Sequence, residues 1–158
     1  MTGLTDLEPA ARAPIATALN GLLADFFALY IKTKNYHWHM TGRHFRDDHL
    51  LLDEQATQIF DATDAMAERV RKLGKPTIRS IGHIARLQRI PDDDSEQTDP
   101  LVMLKALLAD NRAIVAGLRA AHAICDTHHD VATASLIENW IDDAERRVWF
   151  LVETVGRS

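Results

Sequence analysis

Apolar residues recur at steps of three and four along most of this chain, which is the period of helices that bury one face. No stretch alternates apolar and polar residues in the way that a half-buried strand does. At 158 residues the chain has the length of one domain and can bury a core without disulfides or a structural metal. The sequence therefore predicts a single all-α domain over residues 1–158.

Proline, glycine and capping residues divide this pattern into separate helices. The four long helices are predicted at 14–37 (with Pro14 in the first turn), 44–73, 100–125 and 131–155. Asp99 and Asp130 are suited to cap the last two of these helices. The long connection after the second helix contains a short predicted helix at 80–87 and an acidic run, 92–94, interpreted as solvated loop. The economical fold is a four-helix bundle with a short helix in the crossover between helices two and three.

Composition and charge narrow the classes of function. A formal net charge of −5 argues against a surface that generally seeks nucleic acid, although a local basic patch stays open. We expect no stretch that crosses a bilayer and find no export leader in the start MTGLTDLEPAARAP, so a cytoplasmic protein is expected. Cys125 is the single cysteine and is expected to be a small buried residue. Eight histidines give a first indication of metal chemistry.

The second helix carries two pairs of residues that are common metal ligands. His49 and Asp53 are four residues apart, as are Asp64 and Glu68, so each pair lies on one helix face. The midpoints of the pairs are separated by about 22 Å along the helix, too far for one metal. If two copies of the helix pack antiparallel about a two-fold axis, each His49 pair lies beside the Asp64 pair of the other copy. His37, at the end of the first helix, could add a third ligand to the His49 pair.

The face that carries these ligands also carries apolar residues. Leu50 and Phe60 lie at angles close to the ligands, so a second buried surface is expected there. Imidazole with carboxylates is a donor set that suits iron. The alternative is that the acids are solvated or paired with basic residues of the same helix, Arg46, Arg69 and Arg71, and spacing alone leaves both interpretations open. No Glu-x-x-His motif of a conventional ferritin site occurs, so a real site would lie between subunits.

These residues resemble those of the Dps family of mini-ferritins, the DNA-binding proteins from starved cells. The matching residues are His37-Trp38-His39-Met40-Thr41-Gly42, His49, Asp53, Asp64-Ala65-Met66-Ala67-Glu68-Arg69 and Leu73-Gly74. The resemblance implies a ferritin-like bundle assembled from two-fold dimers into a hollow shell of twelve subunits. It also implies ferroxidase ligands for iron at His37, His49 and Asp53 of one subunit and at Asp64 and Glu68 of its two-fold mate.

The activity that the resemblance implies is oxidation of Fe(II), preferably by hydrogen peroxide, with storage of ferric mineral and protection against oxidative damage. A rival function is coating of DNA, with which nucleoid association would fit. Only Arg12 precedes the first helix and the C-terminus is Val155-Gly156-Arg157-Ser158, so we expect weak or absent DNA binding. A zinc or copper buffer would use the same ligands, and the sequence does not exclude it.

Several residues depart from the family pattern or stand outside it. Asp48 occupies a position where relatives usually have Leu or Val, and we expect it to face a basic neighbour or solvent, with an extra carboxylate behind the metal as the alternative. His39 and His44 are expected to be exposed. Trp38 either packs against neighbouring side chains or, as the resemblance implies, can be oxidised by stray radicals that form beside the metal. Carboxylates that could line an acidic three-fold pore are expected near the start of the fourth helix. The candidates are Asp126, Asp130, Glu138 and Asp142. Asp130 could equally serve as the cap of that helix.

Overall fold

The computed structural model describes residues 3–156, and within this range the regular structure is entirely helical. The helices are α1 (Pro9–His39), α2 (Phe45–Lys72), α3 (Ile81–Leu87), α4 (Pro100–Thr127) and α5 (Val131–Val155). The four long helices form the bundle, and α3 lies in the crossover between α2 and α4. This arrangement confirms the predicted fold class.

The helices pack as two close pairs around one core. α1 lies along α2 and α4 lies along α5, while α1 also contacts α4 and α3. All four long helices contribute fully buried side chains, among them Leu19, Ile59, Leu107 and Ile137. Burial of each such side chain contributes roughly 1.5–3 kcal/mol to folding. Core packing therefore fixes which face of α2 remains at the surface.

The helix boundaries follow the capping signals in most places. Asp99 Oδ1 accepts from Leu101 N at 2.9 Å and Asp130 Oδ1 accepts from Thr133 N at 3.0 Å, so both predicted caps are confirmed. The predicted bounds of α2 and α3 are each confirmed to within one residue. The turn predicted after Cys125 is shorter than expected, because α4 continues to Thr127.

The predicted start of α1 was wrong. The helix begins at Pro9 and contains Pro14 inside it, so Pro14 does not mark the first turn. Pro9 occupies the first helical position, where its missing N–H costs nothing. Arg12 steadies this extension, because its Nε donates to the carbonyl of Leu7 at 3.0 Å. Pro14 removes only one hydrogen bond near the helix end, and the helix tolerates it.

The length and composition of α1 overturn another expectation. This helix is long and apolar enough to cross a membrane by those two criteria, whereas no such stretch was expected. Half of the most apolar stretch of α1 is buried inside the protein, with Leu19, Phe26 and Leu29 in the core. The core helix of a bundle meets the same two criteria, so the apolar composition of α1 is explained by the core.

The interior between α2, α4 and α5 holds a buried cation. Arg147 is only 2% exposed, and its Nε and Nη1 donate to Asn111 Oδ1 and Gln58 Oε1, both at 2.7 Å. Burial lowers the pKa of Arg147 to about 10, so it remains charged at neutral pH. A guanidinium at this place disfavours a second cation, and so this part of the bundle interior is unsuited to a metal site.

Candidate metal centre

The first half of the candidate site forms where the end of α1 meets the start of α2. His37 lies in the last turn of α1 and His49 in the second turn of α2. Their imidazole rings stack with centroids 3.8 Å apart and an angle of 14° between the planes. Phe45 covers His49 at a centroid distance of 5.0 Å. The predicted association of these two histidines is therefore present within one chain.

Each histidine is held by a backbone carbonyl of the other. Nδ1 of His37 lies 2.7 Å from the carbonyl oxygen of His49, and Nδ1 of His49 lies 2.8 Å from that of His37. A carbonyl can only accept, so both Nδ1 atoms carry the proton and donate it. In the neutral form of each ring, Nε2 then carries the lone pair that can bind a metal. This is how metal-binding histidines are usually oriented by a second hydrogen bond.

Asp53 lies beside this pair and is held by a lysine that the sequence analysis missed. Its Oδ1 is 3.8 Å from Nε2 of His37 and accepts a hydrogen bond from Lys34 Nζ at 2.8 Å. The Lys34 hydrogen bond is the main reason why the pKa of Asp53 lies below its usual value. Lys34 stands three residues before His37, so the same-face helical spacing could have identified it.

The second half of the candidate site lies farther along the same unbroken helix. Asp64 and Glu68 are both exposed, and within the described residues neither makes an ion pair or a side-chain hydrogen bond. Arg69 instead donates to Thr133 Oγ1 at 2.7 Å and to Asp130 Oδ1 at 3.0 Å. Arg69 therefore does not pair with these acids, whereas their exposure agrees with the other half of the alternative, that they are solvated. Both carboxylates are accessible to a cation.

An apolar groove runs next to this second half. The groove has a volume of about 750 Å³, and Phe27, Phe60, Asp64, Ile81 and Ile84 line it. Phe60 is 49% exposed and Ile81 is 80% exposed, so the groove has little cover in the single chain. Apolar surface of this kind around a polar group is typical of a protein interface. It agrees with the second buried surface expected from the sequence.

Within residues 3–156 no three His, Cys, Asp or Glu side chains converge on a single metal position. His37, His49 and Asp53 form one group, whereas Asp64 and Glu68 lie about 22 Å away along α2. A straight helix cannot bring its own residues across that distance. Each half is therefore incomplete in one chain.

The remaining site predictions have mixed outcomes. Asp48 is only 6% exposed, so it does not face solvent, which was one of the expectations for it. Burial raises the pKa of Asp48 and the basic neighbour His44 partly offsets this rise, without an ion pair between the two. His39 and His44 are exposed, as predicted. Trp38 is 60% exposed, and Lys34 Nζ lies 5.8 Å from the centroid of its ring, so both interpretations of Trp38 stay predictions.

The carboxylates around the start of α5 divide into two groups. Asp130 is buried in its cap and ion-paired with Arg69 at 3.0 Å, which favours capping over a pore. Asp126 and Glu138 are exposed and flank His122, whose Nε2 lies 2.7 Å from Glu138 Oε2. Asp142 is also exposed. These three acids remain candidates for a pore.

Known proteins that match this chain in sequence and in structure identify its fold. The chain matches the family model of the ferritin-like domain over residues 16–157. It is 30% identical over 145 residues to DNA protection during starvation protein 1 of Deinococcus radiodurans, covering 92% of this chain and 70% of that protein. DpsC from Streptomyces coelicolor superposes with a TM-score of 0.93 at 29% identity, covering 98% of this chain and 91% of that one. Antigen TpF1 from Treponema pallidum superposes with a TM-score of 0.91 at 25% identity, covering 98% and 99%.

The four long helices and these matches define a ferritin-like protein. Within that class the chain belongs to the Dps family of mini-ferritins, as the motifs around the two histidines and along α2 indicated. Membership of this family supports iron oxidation and iron storage as the general function.

Proposed function

We propose that this protein is a ferroxidase that oxidises Fe(II) with hydrogen peroxide at sites shared between two-fold-related subunits. The observation that carries the proposal is the division of the ligands into two incomplete halves at separate places along α2, with His37 of α1 beside the first half. His37, His49 and Asp53 would bind iron from one subunit, and Asp64 and Glu68 would bind it from the two-fold mate. An antiparallel pair of α2 helices would create two identical sites in each dimer.

The histidine half is prepared for metal by its own chain. The reciprocal hydrogen bonds from Nδ1 keep both imidazoles in the tautomer whose Nε2 can bind Fe(II). Asp53 becomes a full ligand when Fe(II) displaces Lys34 from its Oδ1. Lys34 therefore competes with the incoming Fe(II) for Asp53.

The redox chemistry balances when two iron ions react with one peroxide. Each Fe(II) gives up one electron, and hydrogen peroxide takes two electrons and two protons to become two water molecules. Delivery of both electrons to one peroxide avoids release of a hydroxyl radical, which a single Fe(II) would generate. This would protect the cell from oxidative damage, and the ferric product would be stored as mineral.

The proposed assembly is a dodecameric shell built from two-fold dimers. Its support on this chain is the exposed apolar surface around the ligands, including Leu50, Phe60 and Ile81, which a free monomer would leave in water. Ferric mineral would occupy the interior, and the acidic residues near the start of α5 would attract incoming cations. We place the shell in the cytoplasm, with no membrane partner.

Anaerobic stopped-flow experiments test this function. Fe(II) is added to the metal-free shell, followed by hydrogen peroxide or dioxygen in separate runs, and Fe(III) absorbance is recorded. We expect rapid oxidation at one peroxide per two Fe(II) and slower oxidation by dioxygen. A protein that binds zinc or copper tightly and oxidises no iron with either oxidant would instead be a metal buffer.

DNA coating is the second function to test, because the relative from Deinococcus radiodurans is named for DNA protection. The described N-terminal segment before α1 carries no basic residue, and Arg157 and Ser158 lie outside the described residues. We expect little or no binding to plasmid DNA at physiological salt. A gel shift that survives this salt concentration would show that a surface patch binds DNA and would favour nucleoid association.

A further inference from the structure

An acidic cavity lies at the start of α2 and is separate from the candidate ferroxidase ligands. It has a volume of about 650 Å³ and forms where the start of α2 meets the start of α4 and the end of α5. Asp48 and its neighbours His44 and Asp47 line it from the α2 side, and Asp99 lines it from the start of α4. Asp48 precedes His49 by one residue, so their side chains leave the helix about 100° apart. The cavity and the histidine half therefore lie on different sides of α2.

Asp48 is the unusual residue in this cavity. Its exposed fraction is only 6%, and its carboxylate has no hydrogen bond or ion pair with any described residue. A side chain this buried leaves its carboxylate little contact with water, and proteins normally supply such a group with hydrogen bonds or a cation. The cavity wall contains the Asp48 side chain, so a ligand in the cavity could reach it.

The other polar groups of the cavity favour a cation. Asp47 and Asp99 add two carboxylates and His44 adds an imidazole, whereas no Lys or Arg side chain lines the cavity in the described residues. Oδ1 of Asp99 caps α4, and Oδ2 of Asp99 has no described partner. Three carboxylates around one cavity create a negative potential that concentrates cations.

We propose that this cavity is a second divalent-cation site within each chain, with Asp48 as its deepest ligand. Asp47, Asp99 and His44 at the rim would complete the shell directly or through water. Within residues 3–156 no three of these side chains converge on one point. The bound ion would therefore keep several water molecules as ligands. Oxygen-rich ligands with one imidazole suit Mn(II) or Fe(II). The site uses none of the proposed ferroxidase ligands and does not depend on iron oxidation.

Mn(II) binding to the assembled, chelator-treated shell tests this proposal. Free Mn(II) is measured by electron paramagnetic resonance during titration of the wild type and of Asp48→Asn and Asp48→Leu. We expect the wild type to bind one more ion per chain than either variant, or to bind that ion at least tenfold more tightly. Asp48→Asn removes the charge but keeps the shape of the side chain. It therefore still tests the site if Asp48→Leu fails to fold.

Two further variants separate the cavity from its neighbour His49. Asp99→Asn keeps a capping oxygen for α4 but removes a charge, and we expect it to weaken the same Mn(II) site several-fold while iron oxidation is unchanged. Asp92→Asn, in the exposed crossover, is the matched control and should bind Mn(II) as the wild type does. Equal Mn(II) binding by the wild type and both Asp48 variants would overturn the proposal. Weaker binding in the Asp48 variants with no change in Asp99→Asn would overturn it as well, because the effect would then come through His49.

Thermal unfolding gives an independent readout. Without divalent cations, Asp48→Leu should melt at a higher temperature than the wild type, because it removes a largely buried carboxylate that has no partner in the described residues. Added Mn(II) should raise the melting temperature of the wild type more than that of Asp48→Leu. An equal rise in both proteins would contradict a site at Asp48.

Discussion

The two halves of the candidate ferroxidase site differ in how much support they receive from their own chain. His37, His49 and Asp53 are held by backbone carbonyls and by Lys34. Asp64 and Glu68 project from the same helix with no such partners in the described residues. The histidine half is thus organised by folding of its own chain, whereas under the proposed function the carboxylate half would be organised by a second subunit that covers the adjacent groove.

Removal of either half should have the largest effect. We expect the double variants His49→Ala/Asp53→Ala and Asp64→Ala/Glu68→Ala each to lower the rate of peroxide-driven Fe(II) oxidation by more than about 100-fold, since even residues behind the metal change affinity or activity by 10–100-fold. Stopped-flow absorbance on intact shells measures the rates. Near-normal oxidation by the second variant would show that the histidine half works alone.

A charge at Phe60 should disrupt the carboxylate half through assembly. In Phe60→Glu the new carboxylate would be buried in the proposed interface, so we expect dimers and shells to dissociate and oxidation to fall with them. Light scattering coupled to size-exclusion chromatography measures the assembly, and Phe60→Leu is the matched apolar control. A folded monomer of Phe60→Glu with full activity would contradict the proposal that the carboxylate half needs a second subunit.

Loss of Lys34 should have a smaller effect, confined to the histidine half. Lys34→Met removes the cation that competes with Fe(II) for Asp53, so tighter Fe(II) binding is expected at neutral pH, within about tenfold. The pKa of Asp53 should rise toward its usual value, so this advantage should shrink in acid. Calorimetric titration with Fe(II) under anaerobic conditions measures the change, and the exposed Lys105→Met serves as control. Weaker binding at neutral pH would mean that Lys34 mainly positions Asp53.

The smallest expected effect concerns the loop that packs beside the histidine half. Hydrogen bonds from Ser95 and from the Tyr36 hydroxyl lower the pKa of Asp93 from its usual 3.8 to about 2. A lowered pKa in the folded state stabilises the protein above about pH 4, and this contribution is lost as the pH falls toward 2. Asp93→Asn should therefore show a slightly shallower fall in melting temperature between pH 4 and pH 2. Identical slopes in the two proteins would show that ionised Asp93 does not stabilise the fold.

Much of the fold was predictable because its signals are local. Apolar spacing and the caps at Asp99 and Asp130 placed three helices nearly correctly. The start of α1 was missed because Pro14 carries a strong first-turn signal of its own, whereas the hydrogen bonds of Arg12 that favour the earlier start form only in the fold. Asp93 was interpreted as solvated loop, and its bond to Tyr36 comes from a residue 57 positions away.

The placement of the candidate ligands on two separate parts of α2 was predictable for the same reason, since spacing along a helix determines which residues share a face. The sequence could not show that Asp48 is buried, because this depends on how α4 and α5 close over the start of α2. Neither could it show the buried Arg147, whose partners Asn111 and Gln58 lie on two other helices. Charged residues were assigned to the surface by default, and tertiary packing overrides that default at these positions.

The most direct test of the shared site is complementation between two inactive variants. His49→Ala/Asp53→Ala and Asp64→Ala/Glu68→Ala are unfolded together and reassembled, and mixed shells are verified by mass spectrometry. Random pairing makes about half of the dimers mixed, and each mixed dimer has one intact site and one doubly broken site, so about a quarter of all sites should be restored. Peroxide-driven Fe(II) oxidation should return to about a quarter of the wild-type rate. Verified mixed shells that stay as inactive as either parent would contradict the shared site and place all of the ligands within one chain.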